Sequence, residues 1–102
     1  MIIPVVNEPR QCRNALAGTT SPVVLDLETT GLDRHDRLVS VGLLIDSIPY
    51  ILFVGSRVVH NVSKEDLLAA LEPLMTRKDL VIVGHNIGFD LGVLRREVSR
   101  SL

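Results

Sequence analysis

Val23-Val24-Leu25-Asp26-Leu27-Glu28-Thr29-Thr30-Gly31-Leu32 is an apolar run that carries two acids at alternate positions and ends in a glycine turn. Alternate residues of a strand project from one face. Asp26 and Glu28 therefore point the same way as Val24, while Val23, Leu25 and Leu27 line the opposite face. Two carboxylates side by side on an apolar strand repel each other and lose hydration. A divalent cation relieves both penalties, because hard cations take oxygen ligands. An edge strand with one solvated face accommodates the same pair without a metal. The alternation alone leaves both readings open.

Downstream, 32–37 is charged and reads as an exposed loop. Leu38 to Ile45 reads as a second strand, Asp46-Ser47 as a tight turn, and Tyr50 to Val54 as a third strand. Connections this short predict an antiparallel meander. Ser63-Lys64-Glu65-Asp66 fits a capping box. The helix behind it carries Leu67, Leu68, Leu71, Leu74 and Met75 on one apolar face, with Pro73 marking its last turn or a kink. Leu80 to Val83 is a short continuous apolar run, as in a strand buried on both faces. Gly84-His85-Asn86 breaks it, and a helix follows from Phe89 to about Val98, with Phe89, Val93 and Leu94 inward and Arg95, Arg96 and Arg100 outward. Upstream, Ile2 to Val6 is a short strand or an apolar arm, and Pro4 favours an edge. Asn7 caps a helix with Pro9 in its first turn, running to about Ala17 and ended by Gly18, before a turn over 19–22. A right-handed crossover through the Ser63 helix lays the 80–83 strand parallel to the first, away from the meander.

The chain has 102 residues, one domain's worth. A net charge of −1 with interspersed signs argues against binding nucleic acid through a broad basic surface, but not against gripping it through metals and a few arginines. Cys12 is the only cysteine, so there is neither an intrachain disulfide framework nor a cysteine zinc site. Cys12 reads as a packing residue, and His35 and His60 as surface histidines. No apolar run approaches the roughly 20 residues of a membrane span. A cytoplasmic protein with no membrane association is the expectation.

Val83-Gly84-His85-Asn86-Ile87-Gly88-Phe89-Asp90 places a carboxylate in the first turn of the final helix, just past the fourth strand. A parallel neighbour brings that turn to the carboxyl end of the first strand, where α/β sheets place ligands. Asp90 alone would be an ordinary helix N-terminal acid. Opposite Asp26 and Glu28 it favours a metal.

These two stretches together resemble the first and second motifs of the DEDD 3′–5′ exonucleases of the ribonuclease H-like superfamily. Asp26-Leu27-Glu28-Thr29-Thr30-Gly31-Leu32 is similar to the first, and Asn86, Phe89 and Asp90 recur at the spacing of the second. The 64-residue separation of Asp26 from Asp90 is more like the proofreading domain of family A DNA polymerases and the ribonuclease D group than the polymerase III epsilon type. The resemblance covers 20–98. It implies an α/β, ribonuclease H-like mixed sheet, a three-strand antiparallel meander plus a parallel strand with flanking helices, truncated on its C-terminal side. Residues 1–102 would then be a single incomplete exonuclease-like domain.

The resemblance also implies roles. Asp26, Glu28 and Asp90 would be catalytic and metal-ligating, binding two Mg²⁺ or Mn²⁺ ions, with Asp26 bridging the two. Thr29, Thr30, Gly31 and Leu32 would lie beside the terminal nucleotide, Leu32 wedging near its base, and Asn86 and Phe89 would support the 3′ end. The reaction would be phosphodiester hydrolysis at a free 3′ end, releasing nucleoside monophosphates. A third motif, with a fourth acid and a Tyr or His, is not found: after Asp90 the only acid is Glu97, and no Tyr or His follows. Tyr50 lies on the wrong side of the sheet to replace it. A polymerase or a second chain completing the fold is thus a further expected partner, and a non-catalytic domain that binds nucleic acid or a polymerase is the alternative.

Overall fold

In the computed structural model, which describes residues 5–30 and 37–101, the acid-bearing stretch is the second strand from one edge of a four-stranded sheet ordered β3-β2-β1-β4. The elements in chain order are α1 (Pro9–Gly18), β1 (Val23–Thr29), β2 (Leu38–Ile45), β3 (Ile48–Phe53), α2 (Lys64–Thr76), β4 (Ile82–Val83) and α3 (Ile87–Ser101). β1, β2 and β3 form the antiparallel meander, and β4 lies parallel to β1 with Val83 beside Val24. The mixed α/β arrangement expected from the sequence is present.

Alternation divides the sheet as the sequence requires. Val23 and Leu25 of β1, Val41, Leu43 and Ile45 of β2, and Tyr50 and Leu52 of β3 are buried. They share one core with Cys12 and Leu16 of α1, Leu67, Ala70, Leu71 and Leu74 of α2, and Val93 and Leu94 of α3. Val24 and its partner Leu44 are exposed. The β2–β3 connection is a two-residue hairpin with Asp46 at φ 51° and Ser47 at φ 67°, the primed turn whose twist suits paired strands. The outer edge of β3 is covered by the N-terminal arm: the Val6 amide donates to the Pro49 carbonyl and the Ile51 amide to the Val6 carbonyl, both at 2.9 Å. Of the arm expected over Ile2 to Val6, residues 2–4 lie outside the described residues.

Several local expectations are corrected. Glu8, not Asn7, caps α1: its carboxylate accepts the amides of Arg10 and Gln11 at 3.1 and 3.0 Å. Gly18 is the last residue of α1, and the chain leaves through an extended Thr19. As expected, Ser63 caps α2 by accepting the Asp66 amide at 3.0 Å, and Pro73 falls in the last turn. Met75 is exposed, because the buried side of α2 is set by Leu67, Ala70, Leu71 and Leu74 and one further step turns outward. β3 begins at Ile48, and α3 begins at Ile87 and reaches Ser101. β4 is only Ile82–Val83 and is not buried on both faces. Val81 and Val83 are 57% and 48% exposed, because β4 is an edge strand with one side against the core.

Arg77 ties α2 to α1. Arg77, just past α2, donates from Nη1 to the carbonyls of Leu16 and Thr19 at 2.8 Å each, closing the C-terminus of α1. Its other side forms a bidentate pair with Asp79.

Candidate active site

β1 holds Asp26 and Glu28 on its exposed face. Opposite Asp26 in the ladder is Gly42, and opposite Glu28 is Ser40. With no side chain on Gly42, the flank of Asp26 stays open. The register then slips: Glu28 pairs with Ser40 but Thr29 with Leu38, leaving Val39 as the extra residue of a bulge. Bulges bend a strand and re-aim its side chains. The Val39 carbonyl instead accepts the amides of Val54 and Gly55.

Asp90 arrives from the other side. The corner at Gly84 lies close against the carbonyl of Leu25, and α3 then opens at Ile87. The Asp90 amide bonds the Asn86 carbonyl at 3.1 Å, and the residue is only 6% exposed. Burial pushes its carboxyl above the usual carboxylate range, and the charge of Asp26 pushes it further. Asp26 and Asp90 therefore lie within electrostatic reach of one another. Among the described residues no three His, Cys, Asp or Glu groups are placed to hold one metal ion. Glu28 stands on the next same-face position of β1, about 7 Å along the strand. The fold brings Asp90 within electrostatic reach of β1's Asp26.

Thr29 ends β1. The Thr30 amide donates to the Arg37 carbonyl and the Arg37 amide to the Thr30 hydroxyl, both at 3.0 Å. Asn86 is exposed, and Phe89 packs partly buried against the core. Gly31, Leu32 and His35 lie outside the described residues. Tyr50 sits on the buried face opposite Leu43, its hydroxyl pushed up by burial. The Cys12 thiol is buried and pushed up to about 12, so it is not a nucleophile.

Sequence reasoning missed Glu97. It is 4% exposed, with Oε2 3.1 Å from Lys64 Nζ and Oε1 3.6 Å from Arg37 Nε. Burial pushes its carboxyl up, but Lys64, Arg37 and the Leu38 amide outweigh burial and hold it below the usual range. The signal was present: position 97 follows Val93 by four and Leu94 by three, which puts it on the inward side of α3.

A family model of 3′–5′ exonucleases matches residues 6–102. No curated protein sequence matches the chain. Among solved structures, the EXO domain of Nibbler from Aedes aegypti superposes with a TM-score of 0.69 at 12% identity, over 93% of this chain and 44% of that one. This chain therefore spans less than half the length of that relative, and the likeness fixes the fold as ribonuclease H-like. The chain belongs to the 3′–5′ exonuclease family. Among the described residues, no helix is long and apolar enough to cross a membrane.

Proposed function

We propose that this chain is a metal-dependent 3′–5′ exonuclease domain, with Asp26 and Asp90 as its central acids, Glu28 as a third ligand, and nucleic acid with a free 3′ end as substrate. The observation that carries the proposal is the Asp26–Asp90 pair. A carboxyl only 6% exposed, within electrostatic reach of a second acid and held above its usual range, is a site that a cation stabilises. The donor set, hard carboxylate oxygens, fits Mg²⁺ or Mn²⁺. When bound, two such ions would activate water and stabilise the leaving 3′ oxygen. Water adds across the terminal phosphodiester, the bond from phosphorus to the 3′ oxygen breaks, and a nucleoside monophosphate leaves. The chain's own residues bind and orient. By the motif resemblance, Thr29, Thr30, Gly31 and Leu32 would lie beside the terminal nucleotide, with Asn86 and Phe89 supporting it. We place the protein in the cytoplasm, consistent with its single buried cysteine, and treat residues 1–102 as one domain.

The second reading, a non-catalytic domain that binds nucleic acid or a polymerase, is favoured by one observation. No three-ligand cluster exists among the described residues. A polymerase or second chain supplying further ligands would reconcile the two. The test is incubation of a 5′-labelled single-stranded oligonucleotide with the chain and Mn²⁺. Stepwise shortening from the 3′ end that is lost in Asp26→Ala supports the exonuclease. Retention of the oligonucleotide without shortening, undiminished in Asp26→Ala, supports the binding domain.

A further inference from the structure

Among the described residues Asp90 and Glu97 are the buried acids, and the chemistry above uses only Asp90. Buried carboxylates are rare unless paired. Glu97 pairs with Lys64, the first residue of α2, and with Arg37, and it accepts the amide of Leu38, the first residue of β2. Arg37 and Leu38 are where the chain returns from the 31–36 segment. On the near side of that segment stands Thr30, whose amide and hydroxyl exchange hydrogen bonds with the Arg37 backbone at 3.0 Å. One carboxylate of α3 thus holds Arg37 and Leu38, whose backbone is hydrogen-bonded to Thr30 just past the acid-bearing strand, and the first turn of the same helix carries Asp90.

We propose that Glu97 is a positioning residue for the 3′-terminal nucleotide, acting through Arg37 and Leu38 to set Thr29 and Thr30, at the end of β1, relative to Asp26 and Asp90. The inference rests on the exonuclease reading of Thr29 and Thr30 and assigns a role to a residue outside both motifs. A purely structural buried ion pair can often be replaced without functional consequence. A positioning pair cannot.

The test compares Glu97→Gln, Arg37→Gln and Lys64→Met with wild type. Backbone amide exchange, which needs no substrate, is read at Thr30 and Arg37. Glu97→Gln and Arg37→Gln should each speed exchange there about fivefold, as for loss of one ion pair, and leave the β1–β2 ladder protected. Binding of thymidine 5′-monophosphate in Mn²⁺ should weaken by about the same fivefold factor, with Mn²⁺ affinity itself within about twofold. The double variant of Glu97 and Arg37 should be no weaker than either single one. Lys64→Met should lower thermal stability and keep nucleotide affinity. The Arg37 side chain is 57% exposed, so Arg37→Gln folds and carries the test if Glu97→Gln does not. Unchanged exchange at Thr30 and Arg37, or a loss of nucleotide affinity matched by loosening of the whole ladder, overturns the positioning role. A wild-type chain that binds Mn²⁺ but no nucleotide also overturns it, while one that binds neither overturns the exonuclease reading itself.

Discussion

Gly84→Ala tests whether the corner between β4 and α3 sets the spacing of Asp26 and Asp90. No described glycine has positive φ, so what Gly84 provides is room. A Cβ there would lie 3.0 Å from the carbonyl oxygen of Leu25 and 3.2 Å from Cδ1 of Ile87. The Ile87 side chain can rotate away. The Leu25 carbonyl, fixed in β1, cannot, so the corner must retreat by a few tenths of an ångström. Overpacking by one methyl group costs about 1–3 kcal/mol. The lower end, about 1 kcal/mol, applies because a two-residue edge strand can shift. The retreat is passed to Asp90 in the first turn of α3. Since misplacement by about 1 Å costs about a hundredfold in rate, this displacement should cost about three- to fivefold. Urea denaturation gives the stability change, and 3′-end hydrolysis gives the rate. Two glycines calibrate the scale. A Cβ on Gly42 meets the Asp26 carbonyl at an ordinary 3.4 Å, so Gly42→Ala should stay within about 0.5 kcal/mol of wild type. A Cβ on Gly55 would lie 2.7 Å from the Leu38 carbonyl, so Gly55→Ala should approach about 3 kcal/mol. Equal denaturation midpoints for the three variants, or a destabilised Gly84→Ala that hydrolyses at the full rate, would refute this reasoning.

Ser47 occupies a left-handed conformation that costs a non-glycine residue about 1–2 kcal/mol. Ser47→Gly should therefore stabilise the hairpin by about 0.5 kcal/mol after glycine's entropy loss, read as a higher urea midpoint. Gly92 lies inside α3, and nothing comes within 4 Å of a Cβ there. Gly92→Ala should gain about 0.5–1 kcal/mol by the same assay. Asp90 is held above its usual range, so the folded state binds its proton more readily than the unfolded chain does. The stability this contributes is complete below the unfolded value of about 3.9 and is lost as pH rises through the folded one. Asp90→Asn, neutral throughout, should then be more stable than wild type near pH 7, and the gap should close by about pH 4. A gap equal at both pH values, in thermal melts, would contradict this.

Features with local signals were legible in the sequence. The alternation of 23–28 gave the face that carries Asp26 and Glu28, Asp46-Ser47 gave the hairpin, and Ser63 gave the start of α2. The crossover rule gave the order β3-β2-β1-β4 before any coordinate. What stayed hidden depends on contacts far apart in the chain. Arg77 closes α1 from 58 and 61 positions away, and nothing near Arg77 announces it. Glu8 displaced Asn7 as cap because its longer side chain reaches the Arg10 and Gln11 amides. The extent of β4 and the exposure of Val81 and Val83 depend on what covers the sheet, which a short apolar run does not encode. The resemblance to the exonuclease motifs singled out Asp26, Glu28 and Asp90 as the candidate acids. Only the fold showed that Asp90 is buried within electrostatic reach of Asp26, and that Glu97 holds Arg37 and Leu38 at the start of β2.

Isothermal titration of the chain with Mn²⁺, wild type beside Asp26→Ala and Asp90→Ala, tests the central claim most directly. The account predicts saturable binding by wild type that either substitution weakens at least about tenfold, as expected when an ion loses one of its carboxylate ligands. Equal binding by all three proteins, or none by wild type, would contradict it.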